Sequence, residues 1–389
     1  MSVPQIEIQI IACIVAVACA IPGVFLVLRR MSLISDAISH SILLGIVIGF
    51  FITQDLNSPL LIIMAGLVGA VTVVLVEMIQ KTKLVKEDTA IGLVFPALFS
   101  IAVILIATNA NDIHLDLDSV LVGELAFAPF NRMYIGGVDY GPKAVWTMGS
   151  IMLLSIILLL LFYKELKITS FDVGLSTALG FSPVIIHYSL MSVSSITVVG
   201  AFDAVGAILV VALMIVPAAT AYLLTSDLRK MLWLSIVFGL MSAIGGYWLA
   251  NILDASISGS MATVLGVIFM ITYLVAPANG YIANLVKERR QKKEVKLLTF
   301  LLHIHSLDDN NDEGEREVDH LYYHFKWNEK EAKTILNLAS DNGLIILKGS
   351  LIYLTDKGTK FSESAIDYIV TNREDKLEGI KRDFLLFRG

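Results

Sequence analysis

The chain has 389 residues, of which 56% are hydrophobic and 16% charged, with a formal net charge of -6. Mean hydropathy is +0.76. A soluble globular domain of this length carries more charge, and so mild an acidic balance points away from a nucleic-acid partner. The charge is also divided unevenly: residues 1–286 hold 27 ionic side chains and residues 287–389 hold 37. That contrast predicts a membrane domain followed by a small soluble one. Both cysteines, Cys13 and Cys19, fall in the first apolar run and read as packing residues, not as a disulfide framework.

A bilayer core of about 30 Å needs about 20 apolar residues per helix. The first run, 8–28, is too long for a secretory core, has no basic segment before it and is followed by Arg29-Arg30, so it reads as an uncleaved spanning helix. A shorter run rich in small residues covers 36–51. Further candidates are 59–79, 89–108, 144–163, 183–200, 206–224, 231–250 and 260–279. Residues 119–130 are too short to span and read as a partial or re-entrant piece.

With nine alternating segments, Arg29/Arg30, Lys81/Lys83/Lys86, Lys164/Lys167, Arg229/Lys230 and Lys287/Arg289/Arg290 share one side, and Asp112, Asp116, Asp118 and Asp254 share the other. The positive-inside rule makes the first side cytoplasmic and leaves the N-terminus outside. Arg132 and Lys143 break the pattern, which keeps eight or ten crossings open.

Residues 287–296 form a basic juxtamembrane linker suited to anionic lipid. Beyond it, 297–389 reads as a separate cytoplasmic domain: a helix over 295–305, an acidic loop, an amphipathic helix over 329–341 stopped by Asn342-Gly343, then two short strands joined by Gly-Ser. The order suits a winged helix. The fold class expected is therefore an all-α polytopic membrane bundle of about nine helices with an α+β winged-helix domain attached.

Asp36 and His40 are four residues apart and share one helical face. Ionisable groups in apolar helices are costly and usually line a pathway. A carboxylate with an imidazole suits Mn, Fe or Zn better than Ca or Mg. The competing explanation is a capping Asp36 beside a structural His40. Asp203, flanked by Gly200 and Gly206, either bends inward at a helix break to join this site or caps a helix starting near Ala204. Glu124 in the re-entrant piece is a third metal candidate. His187 reads as packing, and His114 as a surface group.

Residues 169–183 lie between two spanning segments on the basic side. They predict a short amphipathic helix, capped by Ser170 or Asp172 and stopped by Gly180, on which a partner subunit pushes; a plain interfacial helix is the alternative. There is no G-x-x-x-x-G-K-[ST], so the chain is expected not to be an enzyme and any ATPase is a separate polypeptide. In the tail, Asp319, His320, His324, His303 and His305 read as surface groups, with a regulatory metal site as the alternative. The helix over 329–341 balances acids with bases, so no nucleic acid is expected there.

Four stretches together resemble the metal-transporting class of ABC permeases, the family handling manganese, zinc and iron. They are RRMSLISDAISHSILLG, KEDTAIGLVFPALFS, FDVGLSTALGFSP, and DAVGAILVVALMIVPAATAYLLT followed by DASISGSMATVLGV. The resemblance covers nearly all of 1–285. It implies a type II ABC importer-like bundle, a second permease subunit (identical or a paralogue), cytoplasmic ABC ATPases and an extracytoplasmic metal-binding lipoprotein in a bacterial cell membrane. No cofactor is held permanently; the cargo is Mn2+, with Zn2+ or Fe2+ as alternatives, and DASISGSMA resembles the manganese/iron branch. It further implies that Asp36 and His40 line the metal path. It makes Phe171, Asp172, Ala178, Leu179 and Gly180 part of the coupling helix that docks on the ATPase. The tail, chiefly GLIILKGSLIYLTDKG, resembles the winged helix of diphtheria-toxin-repressor-like regulators. Two other classes stay open: an ion-coupled secondary transporter with broken helices, and a membrane-tethered metal-responsive regulator.

Overall fold

The computed structural model describes residues 2–54, 58–109, 125–135, 138–277, 280–308, 316–318 and 324–371. The chain divides into two compact units, Met1–Tyr281 and Ile282–Gly389.

The first unit runs α1 (Val3–Leu28), α2 (Leu33–Thr53), α3 (Pro59–Lys81), α4 (Glu87–Asn109), the hairpin β1 (Arg132–Ile135) and β2 (Val138–Pro142), α5 (Lys143–Leu161), α6 (Tyr163–Phe171), α7 (Val173–Ala178), α8 (Pro183–Leu224), α9 (Leu228–Leu253) and α10 (Ile257–Val275). Among the described residues, eight of these helices are long and apolar enough to cross a membrane. Local chemistry sets their ends. Pro59 and Pro183 open α3 and α8, where a missing N–H costs nothing. The Asp227 carboxylate accepts from Arg229 N at 2.8 Å and caps α9.

α8 holds 42 residues, and a straight helix of that length would measure about 63 Å, twice the bilayer core. It is not straight. Gly206 sits at φ 78°, ψ 167°, a backbone state that a side chain would strain. Near the start of α8, Ile185 and Ile186 line an apolar cavity together with Phe162 and Leu166. Just past its end, the Arg229 guanidinium lies 5.9 Å from the Tyr163 ring. Both ends of α8 therefore meet the same stretch of chain, so the legs 183–205 and 207–224 fold back on one another at Gly206. Each leg suffices for one crossing, and the described residues make nine passes in all.

The contacts sort by end. At one end Arg29 Nε donates to Ser170 Oγ at 3.1 Å. At the other, Arg132 pairs with Glu7 at 3.4 Å and with Asp139 across the β1–β2 hairpin. Arg132, one of the two exceptions to the charge pattern, is thus a neutralised cation.

α1 is the central strut: it is buried from Ile11 through Ala12 and Val15 to Leu26 and packs on α5, α8 and α9. Small residues bring helices close. A Cβ at Gly45 of α2 would stand 2.5 Å from Met64 O and Ala65 Cα of α3. Thr72 Oγ1 donates to Ser41 Oγ at 2.7 Å between the same two helices. Of the re-entrant piece expected over 119–130, residues 119–124 lie outside the described residues; 125–127 form a turn and Ala128–Phe130 a single 3-10 turn.

The second unit comprises α11 (Tyr281–Asp308), α12 (Glu329–Asp341), the antiparallel hairpin β3 (Ile345–Lys348) and β4 (Leu351–Leu354), and α13 (Asp356–Thr371). It has its own core around Phe300, Leu301, Ile304, Ile335, Ile352 and Phe361. Asn328 and Glu331 form a reciprocal capping box at α12. Gly349, at φ 68°, turns the hairpin. The basic stretch 287–296 lies inside α11 as continuous helix.

Candidate functional site

Arg30 takes a left-handed conformation, φ 61°, and ends α1. The helix restarts at Leu33, so Asp36 falls in its first turn and His40 one turn later. At 1.5 Å per residue these positions are about 4.5 and 10 Å into α2, toward the end of the bundle where Arg29 meets Ser170. His40 Nε2 stands 3.5 Å from Asp36 Oδ1. The imidazole stacks on Phe95 of α4 at 5.4 Å and meets the edge of Phe99 at 6.4 Å.

Two observations bear on the capping alternative. The Asp36 carboxylate has no backbone N–H partner among the described residues, whereas Asp172 and Asp227 do. Asp36 and His40 are also still 39% and 34% exposed on a face of α2 that the single chain leaves open. The buried serines of α2 behave differently: Ser35 and Ser39 donate to the carbonyls of Ser32 and Ser35 at 2.8 and 2.9 Å, as structural hydroxyls do.

With metal–ligand bonds of about 2.1 Å, an oxygen and a nitrogen 3.5 Å apart subtend about 113°, close to tetrahedral. The pair is spaced to grip one transition ion. Two donors are fewer than the four or more that such an ion prefers.

Asp203 lies in the last turn of the first leg of α8, exposed, three residues before the break. The break expected beside it is present, yet Asp203 makes no hydrogen bond or ion pair with Asp36 or His40 among the described residues. No group of three or more His, Cys, Asp or Glu side chains among them is arranged to hold a metal. Glu124, His114 and the Asp319/His320 pair lie outside the described residues. In the second unit the His303 and His324 rings stack at 4.2 Å.

The segment over 169–183 is an elbow of α6 and α7. Asp172, not Ser170, caps α7, accepting from Leu175 N at 2.9 Å, while Ser170 receives Arg29. Thr169 and Ser176 share a buried hydroxyl contact at 3.0 Å that ties the two helices. Gly180, at φ 85°, ends the turn. Phe171, Val173, Leu175 and Leu179 are 59, 58, 49 and 55% exposed. These apolar side chains lie open on a short, well-tied elbow.

One cluster escapes sequence reasoning. Glu77, near the end of α3, is buried against the start of α8. Its carboxylate contacts His187 Nε2, accepts from Tyr188 OH at 2.7 Å and lies 3.8 Å from Lys81 Nζ. The available signal was a lone acid in the apolar run VVLVEMIQ, matched to a lone His in another helix.

A polytopic α-helical bundle with a half-open carboxylate–imidazole pair at one end and an exposed apolar elbow at that same end has the form of a membrane transport subunit. The chain belongs to the ABC 3 transport family, whose signature matches residues 6–276. It is 43% identical over 368 residues to the zinc transport system membrane protein TroD of Treponema pallidum, covering 94% of this chain and 99% of that protein. It is 45% identical over 281 residues to the manganese transport system membrane protein MntD of Bacillus subtilis, covering 72% of this chain and 95% of the other. Among solved structures, PsaBC from Streptococcus pneumoniae in complex with Fab aligns with a TM-score of 0.61 at 29% identity, over 72% of this chain and 95% of that one.

Proposed function

We propose that this chain is the permease subunit of an ATP-driven importer for divalent transition metals, with manganese as its first cargo and zinc or iron as lesser ones. The Asp36/His40 pair carries the reading: a hard oxygen and a borderline nitrogen, spaced for one ion and left open on the face of a bundle helix. The relatives' names, manganese and zinc transport, supply the cargo class. Because one chain offers two ligands, a second permease subunit facing it completes the coordination, and an extracytoplasmic metal-binding lipoprotein delivers the ion.

Energy comes from a separate cytoplasmic ATPase docking on the exposed apolar elbow at Phe171–Gly180. A carrier driven by an ion gradient needs no such surface. Orientation follows from charge: Arg29, Lys83, Lys164, Arg229 and the basic stretch 287–296 face the cytoplasm of a bacterial cell, and the paired Arg132 faces out. Residues 287–296 meet anionic lipid. The remaining tail is a cytoplasmic winged helix, supported by the helix, hairpin and helix order and by the bridge from Glu317 to Leu351. Glu329, Glu331 and Asp341 offset the lysines of α12, so it holds no nucleic acid.

The test is affinity purification of the chain from its own membrane, followed by uptake of radioactive Mn, Zn and Fe into liposomes holding the purified assembly. An ATPase that co-purifies, with ATP-dependent uptake greatest for Mn, is the expected outcome. Uptake that ignores ATP, or no co-purified ATPase, overturns the proposal.

A further inference from the structure

We propose that Glu77 is the positioning residue that ties the α7 elbow to the helix bearing Asp36 and His40, so that movement at the docking surface reaches the metal pair. The inference rests on the importer reading above. A carboxylate buried in an apolar helix is expensive and marks function unless packing alone accounts for it. Glu77 is 9% exposed, and both its oxygens are engaged: one with His187 Nε2, the other with Tyr188 OH at 2.7 Å and Lys81 at 3.8 Å.

Its position gives the bond a task. α7 ends at Ala178, α8 opens at Pro183, and His187 and Tyr188 stand in the second turn of α8. A push on α7 therefore arrives first at the part of α8 that Glu77 holds. On the other side, α3 and α2 move as one body. At Gly45 the two backbones approach so closely that a Cβ has no room, and Thr72 donates to Ser41 at 2.7 Å. Farther along the same pair of helices, Ser195 Oγ donates to Gly66 O at 3.3 Å, a longer bond than those at Glu77. The route elbow, α8, Glu77, α3, α2 is contiguous: a four-residue link joins the elbow to α8, and the joints from α8 to α3 and from α3 to α2 each have a named bond. A cargo-binding role fits less well, since Lys81 already supplies a cation to the carboxylate and His187 and Tyr188 fill its remaining directions.

The test uses the complete assembly in liposomes, with Mn uptake and ATP hydrolysis measured in the same vesicles, and Mn binding measured on the permease without ATP. Glu77→Ala is expected to lower uptake per ATP by roughly five- to tenfold while Mn binding stays at the wild-type level. Glu77→Gln, which keeps an acceptor for Tyr188 OH, is expected to restore uptake per ATP to within about twofold of wild type. Wild-type uptake per ATP in Glu77→Ala overturns the proposal, and so does a loss of Mn binding, which makes Glu77 structural or a ligand. Should Glu77→Ala fail to reach the membrane, His187→Gln with Tyr188→Phe leaves the carboxylate in place and is judged by the same ratio. A wild-type chain that holds no ATPase sinks the importer reading, and this inference with it; an intact assembly with unaltered coupling in the variants sinks this inference alone.

Discussion

Asp172 carries two jobs on one side chain: it caps α7 and sits on the exposed elbow. Charge reversal there mixes the two. Asn is as good a cap as Asp, so Asp172→Asn is expected to keep ATPase capture in a pull-down. Asp172→Ala loses about 1 kcal/mol of cap and weakens capture. Equal capture by both variants would separate the elbow's stability from docking. The residue scale is also where the sequence is hardest to read. Asp36 and His40 are legible because both lie on one helix, where spacing alone puts them on a common face. The Glu77/His187 contact joins positions 110 residues apart and has no local signature. Asp203 shows the converse: the flanking glycines announce a break, but they do not say which way its side chain points.

Among the elements, the spanning helices follow hydropathy closely, because length and apolarity are what a bilayer demands. What hydropathy leaves open is the connection between 183–200 and 206–224. The two legs join with no loop between them, and the reversal rests on the backbone of Gly206. Gly206→Ala forces a side chain into a left-handed φ and is expected to cost about 1–2 kcal/mol, read as a lower unfolding temperature in detergent. An unchanged melt would mean that the break does not need glycine.

The same scale holds a pH effect. The Lys296 ammonium, with help from the Asn328 N–H, keeps the Glu331 carboxyl below the usual glutamate range. A lowered folded value stabilises the packing of α11 on α12 above the ordinary glutamate pKa, and the benefit is lost as pH falls through the lowered value. Glu331→Gln is expected to flatten that acid-side dependence in thermal melts. A wild-type pH profile in the variant contradicts the pairing.

At the scale of the molecule, helix lengths and end contacts give nine passes among the described residues, and the orientation proposed from charge is open to test. Surface cysteines test both. Val138→Cys on the β1–β2 hairpin is expected to react with a membrane-impermeant maleimide in intact cells. Lys83→Cys, between α3 and α4, is expected to react only after permeabilisation. The reverse labelling pattern inverts the topology. Native Cys19 is buried and Cys13 half-buried, so background labelling is low.

The chain divides after Tyr281, and the jump in charge density after residue 286 was legible in the sequence. The continuity of α11 through the basic stretch was not, because a run of cations reads as a linker until its helix packs Leu297 and Phe300 into a core.

Cargo contact by the two side chains of α2 is the claim on which the rest stands, and radioactive manganese uptake tests it most directly. Cells lacking the chain are complemented with wild type, Asp36→Ala or His40→Ala at matched membrane levels. Wild type is expected to restore uptake, and each variant to fall short by roughly 10- to 100-fold. Uptake at the wild-type rate in either variant contradicts the account.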